Sequence, residues 1–241
     1  MSLIGKTILI TGGALRIGHS LALAVAHAGG DVVLHYGKSR KEAEDTQAEI
    51  RAAGRKAFLL QADLTDATQV AELISRAYEY APLFALVNNA SVFEPIGWEN
   101  TSLEQWNQAL MVNLTAPFLL SQAFARSLEP GGHGRIVNLL DWRGLRPGPD
   151  HLPYTISNSA LAALTHSLAI ALAPHITVNA LALGAILPPS SGSTTKVNLE
   201  QIPARRWANL DEVGQALIFL LDGPAYITGE IIHVDGGRHL V

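Results

Sequence analysis

The sequence predicts an α/β fold, a Rossmann-like doubly wound sheet of seven parallel strands with helices on both faces. Short apolar runs alternate with helical patterns from end to end. The runs show no in/out polarity, as expected of parallel strands covered on both faces. A glycine turn follows the first run directly and opens a helix.

Thr7–Ile10 is the first strand, closed by the turn TGGALRIG from Thr11 to Gly18. Apolar residues then recur at helical spacing over Arg16–Ala28, and the following glycines stop the helix. The second strand is Asp31–His35. The charged stretch Arg40–Ala53 reads as a helix with a solvated outer face. Strands Lys56–Gln61 and Phe84–Asn88 bracket a helix over Thr68–Tyr80. One long helix, Leu103–Ser127, leads to the strand Arg135–Leu140. A helix over Tyr154–Leu172, the strand Thr177–Leu181, a helix over Asp211–Leu221 and the strand Ile231–Val234 complete the series. Two loops break both periodicities, Arg143–Pro153 and Leu183–Thr195. Both follow strands, at the carboxyl edge where open sheets bind ligands.

A chain of 241 residues without a linker of domain-separating quality is expected to form one domain, 1–241, with a substrate loop over about 183–207. Hydrophobic residues make up 48% and charged residues only 16%, which leans toward a surface shared with partner subunits. A net charge of −4 and no Lys/Arg stripe argue against nucleic acid. There are no cysteines, and the nine histidines show no ligand spacing, so no metal site is expected. The N-terminus enters a strand at once and lacks the pattern of a signal peptide. The apolar run Leu161–Ala173 stops short of a bilayer's thickness. A cytoplasmic protein without a membrane partner is expected.

Gly12, Gly13 and Gly18 form a turn whose backbone can approach a pyrophosphate, with helix N–H groups and partial positive charge behind it. The spacing is GGxxxxG, not GxGxxG, and a turn used only for packing fits it too. The second strand ends His35-Tyr36-Gly37-Lys38-Ser39, without the carboxylate that would hold ribose hydroxyls. Arg16, Lys38 and Ser39 can bind a ribose 2′-phosphate; the bland alternative is an ordinary solvated loop. Asp63, after Ala62, either accepts from an adenine amino group or is a helix N-cap.

The run from Asp141 to Asn158 reads as the chemical segment. A tyrosine used as proton donor needs a nearby cation to give up its proton near neutral pH, and four residues after Tyr154 stands an amide, Asn158. Asp141, at a strand's carboxyl end, is a chemical carboxylate or a turn cap. Phe93 is a stacking platform or a loop-packing aromatic. Tyr154 is a proton donor or an anchor for its loop.

Over essentially its full length the chain resembles the short-chain dehydrogenase/reductase family. The resemblance rests on TGGALRIG, ADL at Ala62–Leu64, NNAS at Asn88–Ser91, Asn113 in VNLTAP, Asp141 thirteen residues before Tyr154, and YITGEIIHVDGG at Tyr226–Gly237. Arg16 in the glycine turn, His35, Tyr36, Lys38 and Ser39, NNASxF with Phe93, Asp141 in place of serine, and IPxxRW at Ile202–Trp207 are similar to the pteridine and dihydrofolate reductase branch.

The resemblance implies NADPH as cofactor, a pterin as substrate and a homotetramer. It implies cofactor contacts from Thr11, Gly12, Arg16, Ile17, Gly18, His35, Tyr36, Lys38, Ser39, Ala62, Asp63, Leu64, Asn89, Ala90, Ser91, Leu139, Tyr154, Asn158, Gly184 and Ile186. Asn88 would line the same cleft. Substrate contacts would come from Arg16, Ser91, Phe93, Asp141, Tyr154 and Leu187. Asp141, Tyr154, Asn113 and Asn158 would be catalytic, with Asn113 holding the helix backbone and a relay water. Carbonyl reduction and nucleotide or pterin binding without turnover are the competing readings.

Three departures from the family gather near the nicotinamide end. The family lysine is Asn158, whose amide is expected to reach the ribose hydroxyls. The usual proline–glycine pair reads Leu183–Gly184, and the loop beyond it, ILPPSSGS, is bulky and proline-rich. Without an ammonium beside it, Tyr154 is expected to titrate near its reference pKa of ~10.

Overall fold

The computed structural model describes residues 2–187 and 198–241. Seven strands run in parallel: β1 (Thr7–Ile10), β2 (Asp31–Tyr36), β3 (Ala57–Gln61), β4 (Ala85–Asn88), β5 (Gly134–Asp141), β6 (Ile176–Leu183) and β7 (Ile231–Val234). They lie in the order β3-β2-β1-β4-β5-β6-β7. The chain reverses its direction of travel across the sheet between β1 and β4, so the loops leaving these two strands diverge and open a crevice. Register brings Asn88 level with Asn138 and Asp141 level with Leu183.

Helices α1 (Arg16–His27), α2 (Arg40–Ala52), α3 (Ala67–Tyr78), α4 (Leu103–Leu110), α5 (Ala116–Ser127), α6 (Leu152–Leu172) and α7 (Leu210–Asp222) cover both faces. The period-2 strand geometry explains how. Ile8 and Ile10 point into one apolar layer with Leu21 and Val25 of α1 and Val213 and Leu217 of α7. Leu9, between them, joins Leu73 of α3 and Leu120 and Phe124 of α5 on the other side. Each fully buried side chain of this size contributes about 1.5–3 kcal/mol.

Strand and helix bounds agree with the sequence reading within a few residues, with one correction. The expected continuous helix Leu103–Ser127 is interrupted by a π-turn over Met111–Thr115. Pro117, at the start of α5, has no N–H to offer the carbonyl four residues earlier, and the ladder widens there. Among the described residues, α6 is the one helix long and apolar enough to cross a membrane, longer than the run read from sequence. It lies instead along the sheet, with Leu161 and Ala162 packed on Leu140, Ala180 and Ala182.

His35 fastens the crevice edge. Its Nδ1 accepts from the Gly12 N–H at 3.2 Å, which leaves Nε2–H to donate to the Ala62 carbonyl at 3.1 Å. This neutral ring joins the β1 turn to the end of β3. It is buried and does not line the crevice, so its expected cofactor contact is replaced by a bracing one. Burial lowers its pKa to about 4. A folded-state pKa below the ordinary value of 6.5 means that the unfolded chain binds the proton more readily. The stabilisation is therefore complete above about pH 6.5 and is lost as pH falls toward 4. Relative to His35→Gln, the wild type should lose roughly 3 kcal/mol of unfolding free energy across that window. Denaturant titrations at several pH values check this, and parallel pH dependences in the two proteins would refute it.

Candidate active site

The crevice begins at the glycine turn. Gly12 adopts a left-handed φ of 62°, and a Cβ there would stand 3.0 Å from Ala90 Cα. A side chain on Gly18 would strike the Gly12 carbonyl. Thr11 Oγ1 accepts from the Asn89 and Ala90 N–H groups at 2.9 and 3.0 Å, and Asn89 Nδ2 donates to the Thr11 and Gly12 carbonyls. The β1 and β4 exits are thereby one rigid unit. α1 starts at Arg16 without a side-chain cap, and Arg16, Ile17 and Gly18 of its first turn line the crevice. An uncapped helix start of this kind favours an anion. The bare glycine surface beside it fits a pyrophosphate.

From this turn a cavity of about 910 Å³ runs to the far end of the sheet. Of the residues expected at a site, Gly12, Arg16, Ile17, Gly18, Asn89, Ala90, Ser91, Phe93, Leu139, Asp141, Tyr154, Asn158, Gly184, Ile186 and Leu187 line it. Thr11, His35 and Tyr36 are buried behind it, and Ala62 and Leu64 are buried as well. Lys38, Ser39 and Asp63 lie at the exits of β2 and β3, outside the lining. The N-cap alternative for Asp63 is corrected, because Asp66 caps α3; one Asp63 oxygen instead accepts from Thr65 N–H at 2.9 Å and from its hydroxyl at 2.7 Å. These bonds, with a smaller contribution from the Lys38 charge, hold its carboxyl below the usual range.

Asn88 does not line the cleft. It is buried and donates to Asn138 at 2.8 Å, and Asn138 donates to Thr165 of α6 at 2.9 Å. Asn113, in the π-turn, is a clamp rather than a holder of helix backbone. Its Oδ1 accepts from Val92 N–H and Ser91 Oγ, and its Nδ2 donates to the Val92 carbonyl and to Ser157 Oγ of α6. The widened turn is what presents this amide to the loop after β4.

At the carboxyl end of β5, the side chains of Asp141 and Tyr154 come together on the cavity wall. Asp141 Oδ1 also accepts from the Arg143 N–H at 2.8 Å and faces Arg143 Nη1 at 3.4 Å. Burial pushes the Asp141 carboxyl above its ordinary range, against the lowering effect of Arg143. Burial first, then the Asp141 charge, raises the Tyr154 phenol well above its ordinary value, with Arg143 opposing. The expectation of a phenol near its reference value is thus corrected: Tyr154 stays protonated. Phe93 meets Tyr154 edge-on at 4.7 Å and stacks on His151 at 4.4 Å. His151 is held in a left-handed conformation, φ 53°, with its Nδ1 on Asp150 at 2.9 Å.

Asn158 lines the cavity and also ties two elements together. Its Oδ1 accepts from the Asp141 N–H at 2.9 Å, and its Nδ2 donates to the Tyr154 carbonyl at 3.0 Å. The side chain that replaces the lysine is a strap between the β5 exit and α6, fixing the two residues whose side chains meet. The neighbouring cation is Arg143, two residues after Asp141, with Nη2 3.6 Å from Asp150. At the sixth strand's exit, a Cβ on Gly184 would lie 2.6 Å from Asp235 Cα, so glycine is required for β6 to pass the end of β7. The loop residues 188–197 of the third departure lie outside the described residues.

Arg143, His151, Trp207 and Arg238 also line the cavity and had no role from sequence. Arg143 and His151 sit in a loop whose position after a strand was a usable signal. Trp207 belongs to the IPxxRW motif, where Arg206 clamps Glu212 at 2.7 and 2.8 Å and secures the start of α7. Arg238 had no local signal.

Comparison with known proteins agrees with this architecture. Residues 13–239 match the family model described as enoyl-(acyl carrier protein) reductase. The FolM alternative dihydrofolate reductase 1 of Brucella canis, solved with NADP, superposes with a TM-score of 0.92 at 33% identity, covering 100% of this chain and 97% of that one. Its Brucella suis counterpart, also with NADP, gives 0.90 at 34% over 98% and 96%. A 3-oxoacyl-[acyl-carrier-protein] reductase of Synechocystis is 33% identical over 98% of both chains. The chain belongs to the short-chain dehydrogenase/reductase family of oxidoreductases.

The strap makes a definite prediction. Asn158→Ala and Asn158→Lys both leave the Asp141 N–H without its acceptor, which costs about 1–3 kcal/mol. Both variants should unfold at lower denaturant concentration than wild type. An Asn158→Lys protein as stable as wild type would show that the strap carries no weight.

Proposed function

We propose that this protein is an NADPH-dependent reductase of a pteridine C=N bond. The carrying observation is the part-buried Asp141 carboxyl set with Tyr154 and the half-exposed ring of Phe93 on one cavity wall. A pterin presents N–H donors and ring nitrogens on a flat edge, and a carboxyl next to a phenol matches that edge. Phe93 offers a ring face to a flat heteroaromatic. The NADP-bound reductases from the two Brucella species support the cofactor and the substrate class.

When bound, NADPH supplies the hydride. The C=N bond takes that hydride at carbon and one proton at nitrogen, giving CH–NH and NADP⁺. Gly12, Ile17, Gly18, Asn89 and Ala90 would hold the phosphates and neighbouring ribose. Arg16, with Lys38 and Ser39 beyond the cavity, would take the 2′-phosphate. Gly184, Ile186, Leu187 and Trp207 would line the substrate end.

The proton is handled at Asp141. Ionising Tyr154 is costly, because burial and the adjacent carboxylate both oppose it. Asp141, raised toward neutrality by its own burial, exchanges its proton more readily. Tyr154 then orients substrate and carboxyl by donating its hydroxyl hydrogen. Carbonyl reduction, which demands a proton from the tyrosine itself, suits these electrostatics less well. The same reading places a homotetramer in the cytoplasm. Exposed Ile170, Tyr226, Leu240 and Val241 are apolar surface suited to partner subunits.

NADPH should bind more tightly than NADH by about 1–3 kcal/mol, through one charge-assisted contact to the 2′-phosphate. Equal dissociation constants would remove that pocket. With a dihydropterin, Asp141→Ala and Tyr154→Phe should both keep NADPH binding and lose turnover, and Asp141→Ala should also raise KM. Near-wild-type kcat/KM in Asp141→Ala would reduce the carboxylate to a loop cap. Sedimentation at micromolar concentration should show an assembly well above the 25.7 kDa monomer, whereas a monomer would contradict the tetramer.

A further inference from the structure

Resting on the reductase reading, we propose that Arg238 is an anchor for a carboxylate-bearing tail, so that the preferred substrate is a heteroaromatic ring with an acidic substituent. Among the described residues that line the cavity, the charged groups are Arg16, Arg143, Arg238 and one acid, Asp141. Arg16 stands at the glycine turn, at the nucleotide end. Arg143 is matched by Asp141 and Asp150, at 3.4 and 3.6 Å. Arg238 is different: no carboxylate of the described residues lies within ion-pair distance of it.

The guanidinium is nevertheless built into place. It lies 4.2 Å over the Trp142 ring, and the Arg143 guanidinium lies 5.3 Å over the same ring. A guanidinium laid on an aromatic face keeps its edge N–H groups free for a planar, two-pronged acceptor, the geometry of a carboxylate. Partial burial of Arg238, then the charge of Arg143 at the same indole, weigh against its charged form, and Asp141, Asp150 and Asp235 offset this only from beyond ion-pair distance. An anion between substrate and cavity wall relieves both. Arg143 touches the Asp141 and Phe93 end, with its guanidinium 6.0 Å from the Phe93 ring, and it shares the Trp142 ring with Arg238, so both guanidinium groups belong to the wall beside the ring-binding position. A carboxylate on a substituent, rather than on the ring, is what this layout selects.

The test compares the assembled enzyme with its Arg238→Gln and Arg238→Lys variants on two substrates, dihydrofolate, whose tail carries carboxylates, and a dihydropterin with a neutral side chain. The expected wild-type preference, as a ratio of kcat/KM values, favours dihydrofolate. That ratio should fall by about tenfold or more in Arg238→Gln, chiefly through KM, and recover in part in Arg238→Lys. A wild-type preference for the neutral dihydropterin, or a ratio unmoved by Arg238→Gln, overturns the proposal. If the wild type reduces neither compound, the reductase reading fails by itself, and the anchor is read by binding. p-Aminobenzoylglutamate titrated into the NADP⁺-loaded protein should then bind with a Kd that rises with salt and is at least about tenfold weaker in Arg238→Gln. Absence of binding to wild type, or equal binding to both proteins, overturns the anchor. Unchanged thermal unfolding of the variants confirms that they are folded.

Discussion

A carboxyl group taken out of water must be paired, hydrogen-bonded or protonated, and the surroundings of Asp141 are arranged around that demand. The Arg143 backbone and guanidinium satisfy one oxygen, and the Tyr154 phenol stands close enough for its titration to feel the carboxylate charge. The backbone of Asp141 is strapped to α6 by Asn158. Each contact has a consequence for its neighbour. The carboxylate charge keeps the phenol protonated, and Arg143 moderates both. Where a lysine would favour tyrosinate, the nearby cation here is an arginine already engaged with the acid. Proton exchange consequently moves from the phenol to the carboxyl.

The fold makes this possible by geometry. All seven strands are parallel, so every strand ends at the same edge, and the reversal between β1 and β4 leaves a crevice there. Thr11, Asn89 and His35 stiffen the nucleotide half of that edge through buried hydrogen bonds. Asn113 and Asn158 stiffen the other half, tying the β4 loop and the β5 exit to one helix, α6. Side-chain amides serve well here because each offers a donor and an acceptor a fixed distance apart. The cavity walls are thus set by short polar straps, while the apolar layers beneath supply the bulk of the stability.

Most of the architecture was legible in the sequence, because parallel strands buried on both faces leave short, uniformly apolar runs such as TILI and DVVLHY. The glycine turn and the pairing of Asp141 with Tyr154 were legible as local patterns. The π-turn was not, since Pro117 lies where an ordinary helix start would tolerate it, and the widening depends on the partners Asn113 finds in space. Asn158 was visible as a missing lysine. Which backbone atoms its amide would take depends on how closely the β5 exit approaches α6, and no spacing encodes that. Arg143 and His151 come from one loop and Arg238 from the C-terminal tail, and they converge only through tertiary packing around Phe93 and Trp142.

The central claim, that Asp141 is the proton-exchanging group, is tested most directly by the pH dependence of kcat/KM for dihydropterin reduction in wild type and Arg143→Gln. If protonated Asp141 supplies the proton, activity falls as pH rises through its pKa. The limb should lie above the ordinary carboxylate value of 3.8 and well below the ~10 of a phenol. Because Arg143 lowers the Asp141 pKa, its removal should carry that limb to higher pH. A limb at phenol pH, or one that stays fixed or moves downward in Arg143→Gln, would contradict the assignment.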